Sequence, residues 1–149
     1  MPSEWNWHKI NPDNILRYYR QFPGGIDQIA RAIGYRIRPS FVWSYQKDGH
    51  AGLVIGFVND GIAGVPGVLR VTVWSDDGKV NVSGCLDPGS PFPHKVRQGQ
   101  FVLPRGTAWQ GLKIKAELEV KNVLYPVPWA CRQKTNPDGS LTLRPTRGL

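Results

Sequence analysis

Eleven carboxylates offer the first place to look for chemistry. Hydrolysis of a glycosidic bond needs two of them, roughly 5 to 10 Å apart in a cleft and one with a raised pKa. Local context gives most of these acids a structural reading instead. Asp60, Asp76, Asp77 and Asp138 stand in turn signatures, and Asp27 falls in the first turn of a helical pattern. Glu117 and Glu119, spaced i, i+2, interleave with Lys113, Lys115 and Lys121 on what reads as a solvated strand face. Nucleophilic catalysis is no better served: there is no Gly-x-Ser-x-Gly, and neither Cys85 nor Cys131 has a histidine near it in sequence. The histidines, His8, His50 and His94, are isolated in loop-like contexts, a poor zinc set. Asn59, Asp60, Asp76, Asp77 and Asp87 carry the hard oxygen donors that a structural Ca²⁺ takes, although turn chemistry accounts for them with fewer assumptions. No other cofactor is implied.

Aromatic content is the more distinctive feature, with six Trp and five Tyr. Sugar rings present flat C–H faces, and proteins bind them on exposed rigid rings flanked by hydrogen-bonding groups. Leu69, Val71 and Val73 read as the inward set of one strand, which leaves Arg70, Thr72 and Trp74 outward. Trp74 is thus one expected platform, with Arg70 beside it. Trp109 is the other, carried in the glycine-bracketed loop 104–111 with Arg105 and Gln110 as polar neighbours. Trp43 and Tyr45 share a face with Phe41, and Tyr125 and Trp129 share one with Val127 and Cys131. These four rings are expected in the core.

The frame that must hold such residues follows from length and pattern. With 149 residues and 16.7 kDa the chain suits one domain with a substantial core. A composition of 40% hydrophobic and 20% charged residues, with 17 Gly and 13 Pro, argues against disorder, coiled coil and an all-α bundle. No apolar run approaches the roughly 20 residues that span a bilayer, and the N-terminus has no secretory pattern. A net charge of +8 raises the question of nucleic acid, but Lys and Arg are dispersed rather than clustered, so neither nucleic acid nor membrane is an expected partner. The two cysteines read first as small buried hydrophobes and second as one disulfide.

Asn11-Pro12 starts a short helix, and Ile26, Ile29, Ala30 and Ile33 mark a second that stops at Gly34. From Tyr35 the period changes to 2, with turns about every ten residues. The clearest strand alternates Leu112, Ile114, Ala116, Leu118 and Val120 with charged residues; Leu53, Ile55 and Phe57 form another inward row. Further strands are expected at 36–43, 80–82, 100–103, 125–131 and 141–143. The expected fold is mainly β, an antiparallel β-sandwich of immunoglobulin or jelly-roll type with about eight strands, preceded by two short helices. Residues 1–34 then form a helical segment or linker and 35–149 the sandwich.

Ile26 to Ile37, with its Gly34-Tyr35-Arg36, resembles the passage at which a catalytic barrel hands over to a C-terminal β-sandwich in bacterial glycoside hydrolases. Phe57 to Ala63 resembles that family's strand and "N-x-G-x-A" turn, and Val73 to Val80 its "D-x-G" hairpin. Pro126 to Cys131 with Asp138 to Leu141 resembles its closing strands. The resemblance implies an accessory, carbohydrate-binding-module-like domain that is not itself catalytic. It would direct an upstream catalytic domain to plant-type polysaccharide, outside the cytoplasm, as part of a longer bacterial protein. An accessory domain that packs on the barrel without binding sugar, using Trp5, Trp7 and the helices, is the alternative.

Overall fold

A computed structural model describes residues 12–25, 28, 34–86 and 95–145. The chain divides into two compact units, Met1–Gly34 and Tyr35–Leu149. In the first, α1 spans Pro12–Gln21, with Pro12 preset for a first helical position, Asp13 at the positive end of the helix dipole and Arg20 at the negative end. The helix buries no residue, and Ile15, Leu16, Tyr18 and Tyr19 are exposed along it. One helix, not two, stands among the described residues; most of 26–33, expected to form the second, lies outside them, as do Trp5, Trp7, His8, Asp87 and His94.

The second unit is antiparallel β throughout. Its strands are β1 (Ile37–Lys47), β2 (His50–Asn59), β3 (Val68–Trp74), β4 (Asn81–Leu86), β5 (Val96–Leu103), β6 (Lys113–Val120), β7 (Val123–Val127) and β8 (Leu141–Thr142). One sheet has the order β1-β2-β5 and the other β4-β3-β6-β7, with β8 also paired to β6. Leu53, Ile55, Phe57, Phe101 and Leu103 of the first sheet join Leu69, Val71, Val73, Ile114, Ala116 and Leu118 of the second in one apolar cluster. In β3 and β6 every second residue is buried, as one wetted and one covered face require.

Two-residue turns set the register of two hairpins. Asp48 (φ 49°) and Gly49 (φ 79°) join β1 to β2, and Lys121 (φ 49°) and Asn122 (φ 64°) join β6 to β7. Paired positive φ values match the right-handed strand twist, so each turn fixes which residues face each other. Asp-Gly declares such a turn in sequence; Lys-Asn does so weakly.

The longer turns are closed by side chains. Asn59, buried, accepts from the amides of Arg36 (2.8 Å) and Gly61 (2.9 Å) and donates to the Ala63 carbonyl (2.9 Å). Asp77 accepts from the Ser75 hydroxyl at 2.5 Å and the Lys79 amide at 3.1 Å. Asp138 accepts from the Ser140 hydroxyl at 2.6 Å and its amide at 3.0 Å. These bonds, the hydroxyl first in each case, hold both carboxyls below the usual carboxylate range. The folded state therefore favours both carboxylates. That stabilisation is complete above the unfolded value near 4 and is lost as pH falls through the lower folded values. Thermal melts from pH 7 to pH 2 are expected to show Tm falling below about pH 4. Asp138→Asn should lower Tm at pH 7 and flatten that acid slope.

Both cysteines are free thiols, Cys85 exposed and Cys131 half-buried, which corrects the expectation of buried or bridged residues. Cys85 lies opposite Arg70 on the outer face of the second sheet, where no core surrounds it.

Candidate functional site

The bulge in β1 decides which rings face water. Register runs Ile37↔Asn59 and Pro39↔Phe57, then shifts so that Phe41 faces Gly56, Trp43 faces Val54 and Tyr45 faces Gly52. One extra residue moves every later side chain to the opposite face. Ser40, the added residue, donates its hydroxyl to the Gly56 carbonyl at 3.3 Å. Before the bulge, odd-numbered residues point to the core; after it they point out. Phe41 (37% exposed) and Trp43 (48%) are consequently surface rings, and Tyr45 is half-buried.

These rings lie on the backbone of β2. A Cβ at Gly52 would sit 2.2 Å from the Tyr45 ring, and one at Gly56 would sit 2.4 Å from the Phe41 ring. Each ring rests where a side chain would otherwise stand. Trp43 and Tyr45 have centroids 5.3 Å apart and planes tilted by 41°. On the same face β5 contributes Gln100, opposite Val54, and Gln98, opposite Gly56. Three aromatic rings beside two glutamines make a platform with hydrogen-bonding groups along one flank. Substituting Gly52 or Gly56 with alanine is expected to swing a ring off the sheet while leaving the core intact. Near-ultraviolet circular dichroism should change and Tm fall by only a few degrees.

Two clefts open along the same edge strand. One, of about 310 Å³, is formed by Pro39 to Val42 with Trp109, Gln133, Leu141 and Leu143 among its walls. The other, of about 670 Å³, is lined by Arg36, Arg38, Pro39, Trp129, Ala130, Cys131 and Arg132. Pro39 belongs to both. The second is held together by the Ala130 amide, which donates to the Ile37 carbonyl at 2.8 Å.

The residues singled out in sequence are dispersed. Trp74 is half-buried on the outer face of the second sheet, at a shallow cleft of about 370 Å³ with Thr72, Asn81, Lys115 and Glu117. Arg70 shares that face but is held by Glu119 at 2.6 Å, whose hydrogen bond and charge raise its pKa further. Arg105 and Gln110 line a neighbouring groove with Asp76, Asp77 and Lys79. Trp109 does not join them: it is half-buried, packs on the core and lines the cleft that contains Phe41. The four rings assigned to the core divide. Trp129 is buried and stacked on Phe57, centroids 5.9 Å apart, whereas Trp43 is exposed after the bulge, Tyr45 is half-buried on the outer face and Tyr125 is 51% exposed on β7.

Of the carboxylates considered for Ca²⁺, Asp60, Asp76 and Asp77 are engaged by protein groups, and Asp87 lies outside the described residues. Asp60 receives the Arg38 guanidinium and Asp76 the Lys113 ammonium at 2.6 Å. Among the described residues no three His, Cys, Asp or Glu stand close enough to hold a metal ion. No helix among them is long and apolar enough to cross a membrane. No protein-family model matches the chain, and no curated protein or solved structure is significantly similar to it.

Proposed function

We propose that this chain is a non-catalytic carbohydrate-binding module of β-sandwich type, immunoglobulin- or jelly-roll-like, that holds an associated glycoside hydrolase on polysaccharide. Two antiparallel sheets sharing one apolar core support the sandwich. The observation that carries the function is the row Phe41, Trp43 and Tyr45, seated on Gly52 and Gly56 and flanked by Gln98 and Gln100. Alternate residues of one strand repeat about every 6.6 Å along its backbone, and the Trp43 and Tyr45 rings stand 5.3 Å apart, so the row offers several stacking positions to one extended ligand. The 41° tilt between neighbouring rings suits a chain whose successive sugars are turned, rather than a flat crystalline face. Trp74, with Thr72 and Asn81, offers a separate, single-ring position on the other sheet.

A few stacked rings and polar contacts support Kd values of roughly micromolar to millimolar order, about −4 to −8 kcal/mol. Tethering makes such affinity sufficient by raising the effective concentration of the enzyme at its substrate. Native affinity electrophoresis against xylans, galactans, β-glucans, mannans and pectins tests the proposal. Retardation by at least one polymer is expected. A well-folded chain retarded by none would overturn it and leave the docking domain, the reading favoured by α1 with its uncovered Ile15, Leu16, Tyr18 and Tyr19.

A further inference from the structure

We infer that the arginine-lined cleft at the start of β1 receives the carboxylate of an acidic sugar, so that the ligand of the β1 face is a uronate-containing polysaccharide. This rests on the β1 face being a sugar platform. Arg36, Arg38 and Arg132 reach the cleft from two chain segments far apart in sequence, and among the described residues no carboxylate lines it; Arg36 and Arg38 are already engaged by other groups, so Arg132 is the fork that the proposal turns on. Asp60, outside the lining, offsets Arg38, accepting a second bond from its Nη2 at 3.3 Å. Arg132 is exposed and makes no ion pair with a described carboxylate. The planar guanidinium fork matches a carboxylate in two parallel hydrogen bonds, which an ammonium does not do.

Two further features point the same way. Trp129, in the cleft wall, has an indole N–H that is buried without an acceptor. The atom has no solvent-accessible surface in this structure, so an anion in the cleft would satisfy it only after the Trp129 ring turns toward the cleft. The cleft also adjoins the platform along β1: it shares Pro39 with the next cleft, whose lining includes Phe41 of the row. A chain lying along β1 would meet stacking surfaces at one end and the Arg132 fork at the other.

Full methyl esterification removes the charge of a polygalacturonate and keeps its backbone, so the pair isolates the carboxylate. Binding of the full chain to both forms, and to a neutral β-glucan, would be measured by isothermal titration calorimetry at 50 and 200 mM salt. The de-esterified polymer should bind at least tenfold more tightly than its ester. Arg132→Ala should remove most of that preference and Arg132→Lys should restore only part of it. Arg17→Ala, which deletes the same charge from α1, should leave the preference within twofold. Equal binding of ester and acid would overturn the inference, as would equal losses in Arg132→Ala and Arg17→Ala, or dextran sulfate binding as tightly as the uronate. Binding of the neutral glucan alone would overturn it while the platform reading stands. Binding of none of these polymers would overturn it, and the platform reading falls as well only if the electrophoresis panel gives no retardation.

Discussion

Trp43→Ala is expected to weaken polysaccharide binding by about 2 kcal/mol, roughly thirtyfold in Kd, with Tm changed by no more than a few degrees. Trp43 is the central ring of its row, 48% exposed, and it neighbours Tyr45 at 5.3 Å. Removing it deletes the middle of a three-ring surface and uncovers Val54, to which it is paired. Because the ring lies outside the core, its loss leaves no internal cavity, and the fold is affected little. Calorimetric titration with the polymer that gives retardation measures the first quantity, and thermal melting the second. Trp74→Ala serves as the contrasting variant: it removes a ring of the same type from the other sheet and should change Kd by less than threefold. If the two variants exchange these effects, the site lies on the second sheet.

The largest effect on stability is expected at Phe57. Its side chain is fully buried, stacked on Trp129 and in contact range of the backbone at Gly99, where an added Cβ would stand 3.3 Å from the Phe57 ring. Phe57→Ala should cost about 3–5 kcal/mol through lost transfer energy and the cavity left behind. The damage should reach the arginine cleft as well, since Trp129 forms its wall and loses its stacking partner. Chemical denaturation would show the midpoint shifting with little change in m. Phe57→Leu, which retains more of the buried volume, should cost clearly less, and equal costs would contradict a packed inter-sheet role.

Much of the frame was legible because alternation is a direct readout of a sheet with one wetted face. The strand beginning near Leu112 and the inward row Leu69, Val71 and Val73 follow from period 2; Leu53, Ile55 and Phe57 do point inward, but β2 is buried on both faces and has no wetted one. The site was harder to see because one residue intervenes. Reading 36–43 as an uninterrupted strand puts Phe41 and Trp43 on the side of Ile37, and the bulge at Ser40 reverses them. The sequence did hold a correcting signal. Counting outward from the Asp48-Gly49 turn pairs Tyr45 with Gly52, Trp43 with Val54 and Phe41 with Gly56, all opposite the outward positions of β2. A strand that alternates glycine against aromatic partners across a hairpin marks rings laid on backbone.

The arginine cleft had no comparable local signal. Arg36 and Arg38 precede or open β1 while Arg132 follows β7, and the bond from Ala130 to Ile37, with Trp129 packed in the core with Ile37, brings the two segments together. Dispersion of basic residues along the chain therefore says little about dispersion in space. Trp109 illustrates the same limit in reverse. Its loop neighbours Arg105 and Gln110 turn toward the β3–β4 hairpin, while its own ring turns to the core and to Phe41.

The most direct test of the sugar platform is a two-dimensional NMR titration of the indole N–H signals with an oligosaccharide of the retarding polymer, using Trp43→Phe and Trp74→Phe to assign peaks. The Trp43 signal is expected to shift progressively with ligand while that of Trp74 stays in place. Saturable movement of the Trp74 signal with Trp43 unmoved, or no movement of any indole signal at millimolar ligand, would contradict a binding face on β1.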